Sequence, residues 1–171
     1  MDKLVSVIMS TYNESIEWII ESVMSVINQT YPLIELIIVI DNPNNFEAIE
    51  WLEKVEIKYN NVKIIRNETN IGLVKSLNKA LKTCHGEYIA RMDADDICVN
   101  DRIERQVKYI EENNLDFVFS GLKMIDEHSN QLYSTDLNEI NHTLVSKLLK
   151  ITNITNHPTW MLKKEVYSTL E

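Results

Sequence analysis

The sequence predicts an α/β fold in which a mostly parallel sheet carries helices on both faces. Two observations lead to this prediction. Short apolar runs alternate along the chain with longer stretches whose apolar residues recur at helical spacing, and the links between them are short. Four of the apolar runs also stop abruptly at clusters of polar residues, as strands do where they leave a sheet.

Four predicted strands alternate with three predicted helices in the first half of the chain. The strands are apolar runs at residues 4–9, 36–40, 62–66 and 88–92. The helices carry apolar residues at 3.6-residue spacing, beginning at Ile16, Phe46 and Leu73. The run at 36–40 is wholly apolar, which is typical of a strand covered on both faces. This βαβαβαβ order with short connections predicts a parallel sheet.

The second half of the chain continues with shorter elements. We expect a helix to about residue 114, a strand at 116–120, two short edge strands, a helical stripe at 144–149 and a short strand at 159–162. The polar residues at 126–131 form the turn between the two edge strands. No internal repeat or low-complexity tract is present, and 171 residues are about one domain's worth.

Composition narrows the choice of partners. The net charge of −9 argues against nucleic acid as a partner, so phosphate groups must be met by local amides, a few cations or a metal. The two cysteines form no CxxC pair and are too few for a disulfide framework. No apolar run reaches the roughly 18 residues of a membrane span, and no signal-peptide layout is present. We therefore expect a cytoplasmic protein without an integral membrane segment, either free or peripheral at the inner face of the membrane; its oligomeric state stays open.

The polar clusters at 11–14, 41–45, 67–72 and 93–96 each follow one of the four strands. Because the carboxyl ends of parallel strands meet at one edge of a sheet, these clusters are expected to converge on a common ligand site. No GxGxxG or P-loop follows the first strand, which disfavours an ordinary dinucleotide or P-loop site.

Three carboxylates stand at the end of the fourth strand: Asp93, Asp95 and Asp96. Strand alternation would put Asp93 and Asp95 on the same side, where their charges repel unless a cation lies beside them. Hard oxygen ligands of this kind suit Mg²⁺ or Mn²⁺ held together with substrate phosphates. The alternative is a helix N-terminus, where Asp is favoured as a cap, and we assign that role to Asp96 because a helical pattern follows from about residue 100.

Five segments resemble, in the correct order, blocks of the family-2 glycosyltransferases, which have a Rossmann-like GT-A nucleotide-binding fold. The segments are residues 5–14, 35–41, 70–73 with Asn78, 86–96 and 157–166. The first block commonly has Pro where this chain has Ser10, and the match at 86–96, the DxD block, is close. Each motif is weak alone, whereas the ordered set covers nearly the whole chain.

The resemblance implies metal-dependent, inverting transfer of a sugar from a nucleotide-sugar donor, a UDP-sugar, to a hydroxyl of a glycan or lipid-linked acceptor. By the same resemblance, Mn²⁺ or Mg²⁺ is the cofactor, held by Asp95 with Asp93, and Asp93 faces either the ribose or the metal. The remaining residues implied to contact the nucleotide are Thr11, Tyr12, Glu14, Asp41, Asn70 and Gly72. For Asp41 an Asx turn with residues 42–43 is the alternative, and for Asn70 and Gly72 a plain helix start.

The chain departs from the family at the general base, which usually lies in an acidic motif further on. Candidates within the chain are Asp126, Asp136 and His157, none in a convincing context. We therefore expect the donor-binding part of a longer catalytic domain, with 1–98 as its nucleotide-binding half and 99–171 as the start of its acceptor half. It should bind a nucleotide sugar and transfer poorly or not at all.

Two other functions stay open. One is a nucleotide-sugar-binding or interaction module without transfer activity, which the missing base motif favours. The other is a sugar-phosphate nucleotidyltransferase, which is less supported because the loop after the first strand offers neither Gly nor a cation for a triphosphate.

Overall fold

A computed structural model describes residues 3–126, 130–135, 140 and 142–168. The strands are β1 Val5–Thr11, β2 Ile34–Ile40, β3 Val62–Arg66, β4 Tyr88–Arg91, β5 Phe117–Val118, β6 Lys123–Ile125, β7 Gln131–Ser134 and β8 Met161–Lys163. The helices are α1 Ile16–Ile27, α2 Phe46–Lys58, α3 Leu73–Leu81, α4 Arg102–Asn113, α5 His142–Leu148 and α6 Lys164–Ser168. A 3₁₀ turn at His157–Thr159 precedes β8.

The main sheet has six strands in the order β3-β2-β1-β4-β8-β5. The first four strands are parallel, with Val5 of β1 opposite Ile34 of β2 on one side and Tyr88 of β4 on the other. β8 runs antiparallel to both of its neighbours. The strand order reverses between β1 and β4, which is the switch point at which open α/β sheets bind ligands.

Side chains alternate between the two faces of the sheet and form two hydrophobic clusters. On one face, Val7, Ile38 and Ala90 pack with α1, α2 and α4. On the other face, Ile8 and Ile37 pack with α3. The prediction of a mostly parallel sheet with helices on both faces is therefore confirmed.

The second half of the chain differs from the prediction in three places. The strand expected at 116–120 is reduced to Phe117–Val118. The two short strands are not edge strands of the main sheet. They pair with each other, antiparallel, and form a separate two-stranded sheet, β6–β7. Asp96 does not cap a helix, since α4 begins at Arg102 with Asp101 in the N-cap position.

In the part of the chain that the structure describes, no helix is both long and apolar enough to cross a membrane.

Candidate functional site

A pocket of about 420 Å³ opens at the carboxyl edge of the sheet, where β1 and β4 lie side by side. Its wall is formed by residues at or just after the carboxyl ends of all four parallel strands, together with the first residue of α3. They are Ser10, Tyr12, Glu14, Asp41, Asn70, Gly72, Leu73, Asp93 and Asp95. Seven of the eight residues that the resemblance assigns to the nucleotide and metal are among them; Thr11 is not.

Glu14 holds the loop after β1 in place. Its Oε2 accepts hydrogen bonds from the Thr11 hydroxyl at 2.7 Å and from the Tyr12 amide at 2.6 Å. Thr11 is buried, so it lies behind the pocket and braces it through Glu14. The Tyr12 side chain is 42% exposed and stands on the pocket wall.

Asp41 is the buried anchor of the site. Its Oδ1 accepts from Asn67 Nδ2 at 2.7 Å and from the Ile71 amide at 2.9 Å, and its Oδ2 accepts from the Gly72 amide at 2.8 Å. Burial alone would raise the pKa of this carboxyl, but these hydrogen bonds outweigh it and hold the pKa below its ordinary value. The Asx turn expected as an alternative here is made by the neighbouring Asn42, whose Oδ1 accepts from the Asn44 amide.

Gly72 combines the two roles that the sequence left open. It is the N-cap residue of α3 and it also lines the pocket. Its φ of +84° lies in the region that favours glycine, and this conformation turns its amide toward Asp41 and toward Asn70 Oδ1, 2.9 Å away.

Asp93 and Asp95 lie on the turn that follows β4, not on the strand itself, yet both line the pocket. Asp93 is paired with Arg91, whose Nη1 donates to its Oδ1. The pKa of the Asp95 carboxyl is raised by partial burial and by the negative charges of Asp93 and Glu14. The turn thus concentrates negative charge at the mouth of the pocket.

The donor chemistry of this turn fits a hard divalent ion. The two carboxylates of the turn, Asp93 and Asp95, line the same pocket, and a cation would relieve the repulsion between them. Within the described ranges, no group of three or more Asp, Glu, His or Cys side chains could complete a metal site alone. An ion held here would need further oxygen ligands from a substrate or from water.

The three candidate bases have different positions. Asp126 lies in the β6–β7 turn, where its Oδ1 accepts from the Asn130 amide and its Oδ2 from the Asn130 side chain. Asp136 lies outside the described residues. His157 is half-buried with its ring edge-on to Trp160, and burial together with the charge of Arg91 lowers its pKa, against the opposing charge of Asp93. None of the described candidates lines the pocket.

A larger cleft of about 1030 Å³ lies at the opposite edge of the sheet. Its wall includes Lys3, Gly86 and Lys164, around the amino end of β4 and the end of β8. We assign ligand binding to the smaller pocket because polar groups from four strand ends converge there.

Sequence reasoning missed four contributors to the site. Ser10 and Leu73 line the pocket, Asn67 supports Asp41, and the buried Arg91 pairs with Asp93. Asn67 lies inside a polar cluster that was expected at the site, so its position was a usable signal. In the sequence, an arginine at the end of a strand is expected to be exposed. The carboxylate of Asp93, two residues on, is the one sequence feature that would allow Arg91 to be buried.

A comparison with protein families matches residues 6–170 to the model described as glycosyl transferase family 2. The chain belongs to glycosyltransferase family 2. The prediction of family-2 membership is thereby confirmed, and the relatives reported below are named as glycosyltransferases.

Proteins named as glycosyltransferases resemble this chain over most of its length. An uncharacterized glycosyltransferase of Methanocaldococcus jannaschii is 40% identical over 100% of this chain and 60% of its own length. The O-antigen biosynthesis glycosyltransferase WbnJ of Escherichia coli is 35% identical over 95% of this chain and 63% of its own. The chain thus spans about 60% of the length of these two relatives.

The fold of this family-2 glycosyltransferase chain matches a solved structure of the same GT-A type. Residues 1–349 of S. aureus TarS, in complex with UDP-GlcNAc, superpose with a TM-score of 0.78 at 25% identity. The match covers 98% of this chain and 47% of that structure. The predicted GT-A fold is confirmed by this likeness together with the sheet topology.

Proposed function

We propose that the pocket binds the UDP part of a UDP-sugar together with Mn²⁺ or Mg²⁺, as the donor site of an inverting glycosyltransferase. The acceptor is a hydroxyl of a glycan or of a lipid-linked sugar. The observation that carries the proposal is the convergence of Tyr12, Asp41, Gly72 and two carboxylates on one pocket at the switch point of the sheet.

Asp41 and Tyr12 supply the recognition of the base. Asp41 Oδ2 accepts from the Gly72 amide, and because a carboxylate oxygen can accept more than one hydrogen bond, it keeps acceptor capacity at the pocket wall. Because its pKa is lowered, Asp41 is ionised at neutral pH and can accept from the imide N–H of uracil. The exposed Tyr12 ring offers an aromatic face against which a planar base can stack.

Asp93 and Asp95 would hold the divalent ion together with the diphosphate. When bound, such an ion stabilises the charge that develops on the diphosphate as the bond to the anomeric carbon breaks. Asp95 is the more exposed of the two, and among the described residues its carboxylate forms no ion pair, whereas that of Asp93 is paired with Arg91. It is therefore the residue we assign as the principal protein ligand.

The names of similar proteins support the proposed donor and acceptor class. TarS has been solved with UDP and with UDP-GlcNAc, which favours a uridine nucleotide in the corresponding pocket. WbnJ is named for O-antigen biosynthesis, which favours a glycan acceptor.

We propose that residues 1–98 form the nucleotide-binding half and that residues 99–171 begin the acceptor half. Asp126 is bonded within its own hairpin, whereas His157 lies near enough to Asp93 to be influenced by its charge, so we favour His157 among the described base candidates. Its lowered pKa leaves the imidazole neutral and able to accept a proton, but it does not line the pocket. We expect donor binding to be strong and transfer by this chain alone to be low.

Calorimetric titration with UDP tests the donor site. We expect binding in the presence of Mn²⁺, and a loss of about 10-fold or more in affinity when the metal is chelated or when Asp95→Asn is introduced. Asp116→Asn is the matched control, because it removes one carboxylate that is 71% exposed and remote from the pocket. UDP binding that survives both chelation and Asp95→Asn would contradict the proposed site.

The same titration addresses the alternative of a binding module without transfer, which shares every contact above. Metal-dependent UDP binding with no sugar transfer to any tested glycan acceptor favours the module, whereas turnover shows that a base is present.

A further inference from the structure

Arg91 is a buried arginine directly beneath the acidic turn. It is the last residue of β4, it is 1% exposed, and it is among the largest fully buried side chains of the described chain. Burying a guanidinium without a compensating charge is strongly unfavourable, so the structure must provide a partner for it.

The partner is Asp93. Arg91 Nη1 donates to Asp93 Oδ1, and this is the ion pair that the described residues provide for the guanidinium. The Nε of Arg91 is buried and has no hydrogen-bond partner within the described ranges. The Arg91 side chain therefore pairs with Asp93. The described residues show no wider polar network around it, and it has almost no contact with solvent.

The backbone on either side of Arg91 is clamped. Its amide donates to the Trp160 carbonyl at 2.9 Å, and its carbonyl accepts from Arg102 Nη2 at 2.9 Å. Arg102 is itself buried and continues through its Nε to Gln106 Oε1. The guanidinium of Arg91 thus extends from a fixed point toward Asp93.

One carboxylate oxygen of Asp93 is engaged by this pair, while Asp93 still lines the pocket. A carboxylate that is held through one oxygen presents the other in a restricted set of directions. The second carboxylate of the turn, Asp95, is not held in this way, because none of the described ion pairs includes it.

We infer that Arg91 is a positioning residue for the donor site: it acts through Asp93, fixing the direction in which that carboxylate meets the metal–diphosphate group. The inference rests on the proposed function, since it assigns Arg91 a role in the same pocket. Arg91 itself is buried and does not line the pocket, so it is not a catalytic residue.

A double-mutant cycle on UDP affinity in Mn²⁺ tests the inference. Arg91→Lys keeps the positive charge but loses the guanidinium geometry, and it is preferred to Arg91→Met because a smaller change at a buried site is more certain to fold. We expect Arg91→Lys to weaken UDP binding about 10- to 100-fold, the range typical for groups that orient metal ligands. In the Asp93→Asn background, the carboxylate charge that Arg91 would orient is already absent. There, Arg91→Lys should weaken UDP binding by about threefold or less.

Arg105→Lys is the control, because Arg105 also pairs with an aspartate, Asp101, but does so on the exposed side of α4, and neither residue lines the pocket. Its effect on UDP affinity should be the same in both backgrounds, and thermal unfolding monitors the folding of every variant.

The outcomes separate the inference from the function on which it rests. If the unaltered protein binds UDP and Arg91→Lys has equal effects with and without Asp93, the positioning role is wrong while the donor site stands. If Arg91→Lys binds UDP as tightly as the unaltered protein, the positioning role is likewise wrong while the donor site stands. If the unaltered protein does not bind UDP with Mn²⁺ at all, the proposed function falls, and the inference with it.

Discussion

Asp41 shows how a single carboxylate can be both buried and ionised. It is 3% exposed, yet one side-chain amide and two backbone amides donate to it. A buried charge normally costs free energy, and these N–H groups offset that cost only for the ionised form. The loop at 70–72 therefore depends on the charge of Asp41 for its position, and the pocket depends on the loop.

This arrangement predicts a specific acid sensitivity. The folded pKa of Asp41 lies below its ordinary value of 3.8, so the folded protein binds fewer protons there than the unfolded chain. The stability that Asp41 contributes is complete above its ordinary pKa and is lost as pH falls below about 4 through the folded pKa. Asp41→Asn should lower the free energy of unfolding at pH 7 by about 2 kcal/mol. It should also reduce the acid limb, that is, the fall in the free energy of unfolding below about pH 4.

Urea unfolding between pH 2.5 and 7 measures both effects. Asp116→Asn serves as the control, since that carboxylate is 71% exposed and should leave the acid limb nearly unchanged. If Asp41→Asn retains the full slope of the unaltered protein, the charge of Asp41 is not what holds the loop.

At the scale of single elements, α2 illustrates how amphipathic spacing becomes packing. Its buried residues are Ala48, Leu52 and Val55, which fall on one side at helical spacing and pack into the hydrophobic cluster with β1 and β2. Asn45 caps the helix, its Oδ1 accepting from the Ala48 amide. The opposite side contains Ile57, which is 83% exposed although it is strongly apolar.

The helix therefore offers a matched pair of aliphatic substitutions. Leu52 is 0% exposed, so Leu52→Ala leaves a cavity and should lower the free energy of unfolding by about 2–5 kcal/mol. Ile57→Ala removes little buried surface and gains helix propensity, so its effect should stay within about 0.5 kcal/mol. Chemical denaturation of the two variants checks this, and comparable losses would mean that α2 does not pack through the predicted face.

Which elements the sequence could predict follows from the range of the interactions that form them. The first four strands and three helices show their own periodicity, and the strand-end clusters then place Tyr12, Asp41 and Gly72 at one edge by topology alone. The position of β8 between β4 and β5 depends on pairing between residues about 70 positions apart, such as Ala90 with Met161, and no local pattern encodes it.

The same distinction separates the site residues. Asp93 and Asp95 can be predicted as site residues from their spacing and from the strand that precedes them. The burial of Arg91 cannot, because it depends on the clamp from Trp160 and Arg102, two residues whose contacts with β4 are visible only in three dimensions. The prediction that Asp96 starts a helix is wrong because apolar spacing alone does not show that α4 begins as late as Arg102.

Stability is unevenly distributed over the molecule. β1 is buried at every residue and β2 at all but one, at the centre of the sheet with helices on both faces. The β6–β7 pair stands apart from that sheet, and nearly all of its residues are exposed, including Met124, Leu132 and Tyr133. An isolated two-stranded ribbon is marginally stable in water, so this part of the chain has little support of its own.

Amide hydrogen exchange should therefore resolve the chain into regions of different protection. The amides of β1 and β2 open only with global unfolding and should exchange most slowly, whereas those of β6–β7 exchange through local opening of low free energy. Adding UDP with Mn²⁺ should slow exchange at the Ile71 and Gly72 amides and in the turn at 93–96, because these groups surround the proposed donor, and should leave β6–β7 unchanged. Magnesium or manganese without nucleotide is the control for the turn alone. Equal protection of β1 and β6 would contradict the uneven stability, and a ligand response centred on β6–β7 would contradict a nucleotide site at the switch point between β1 and β4.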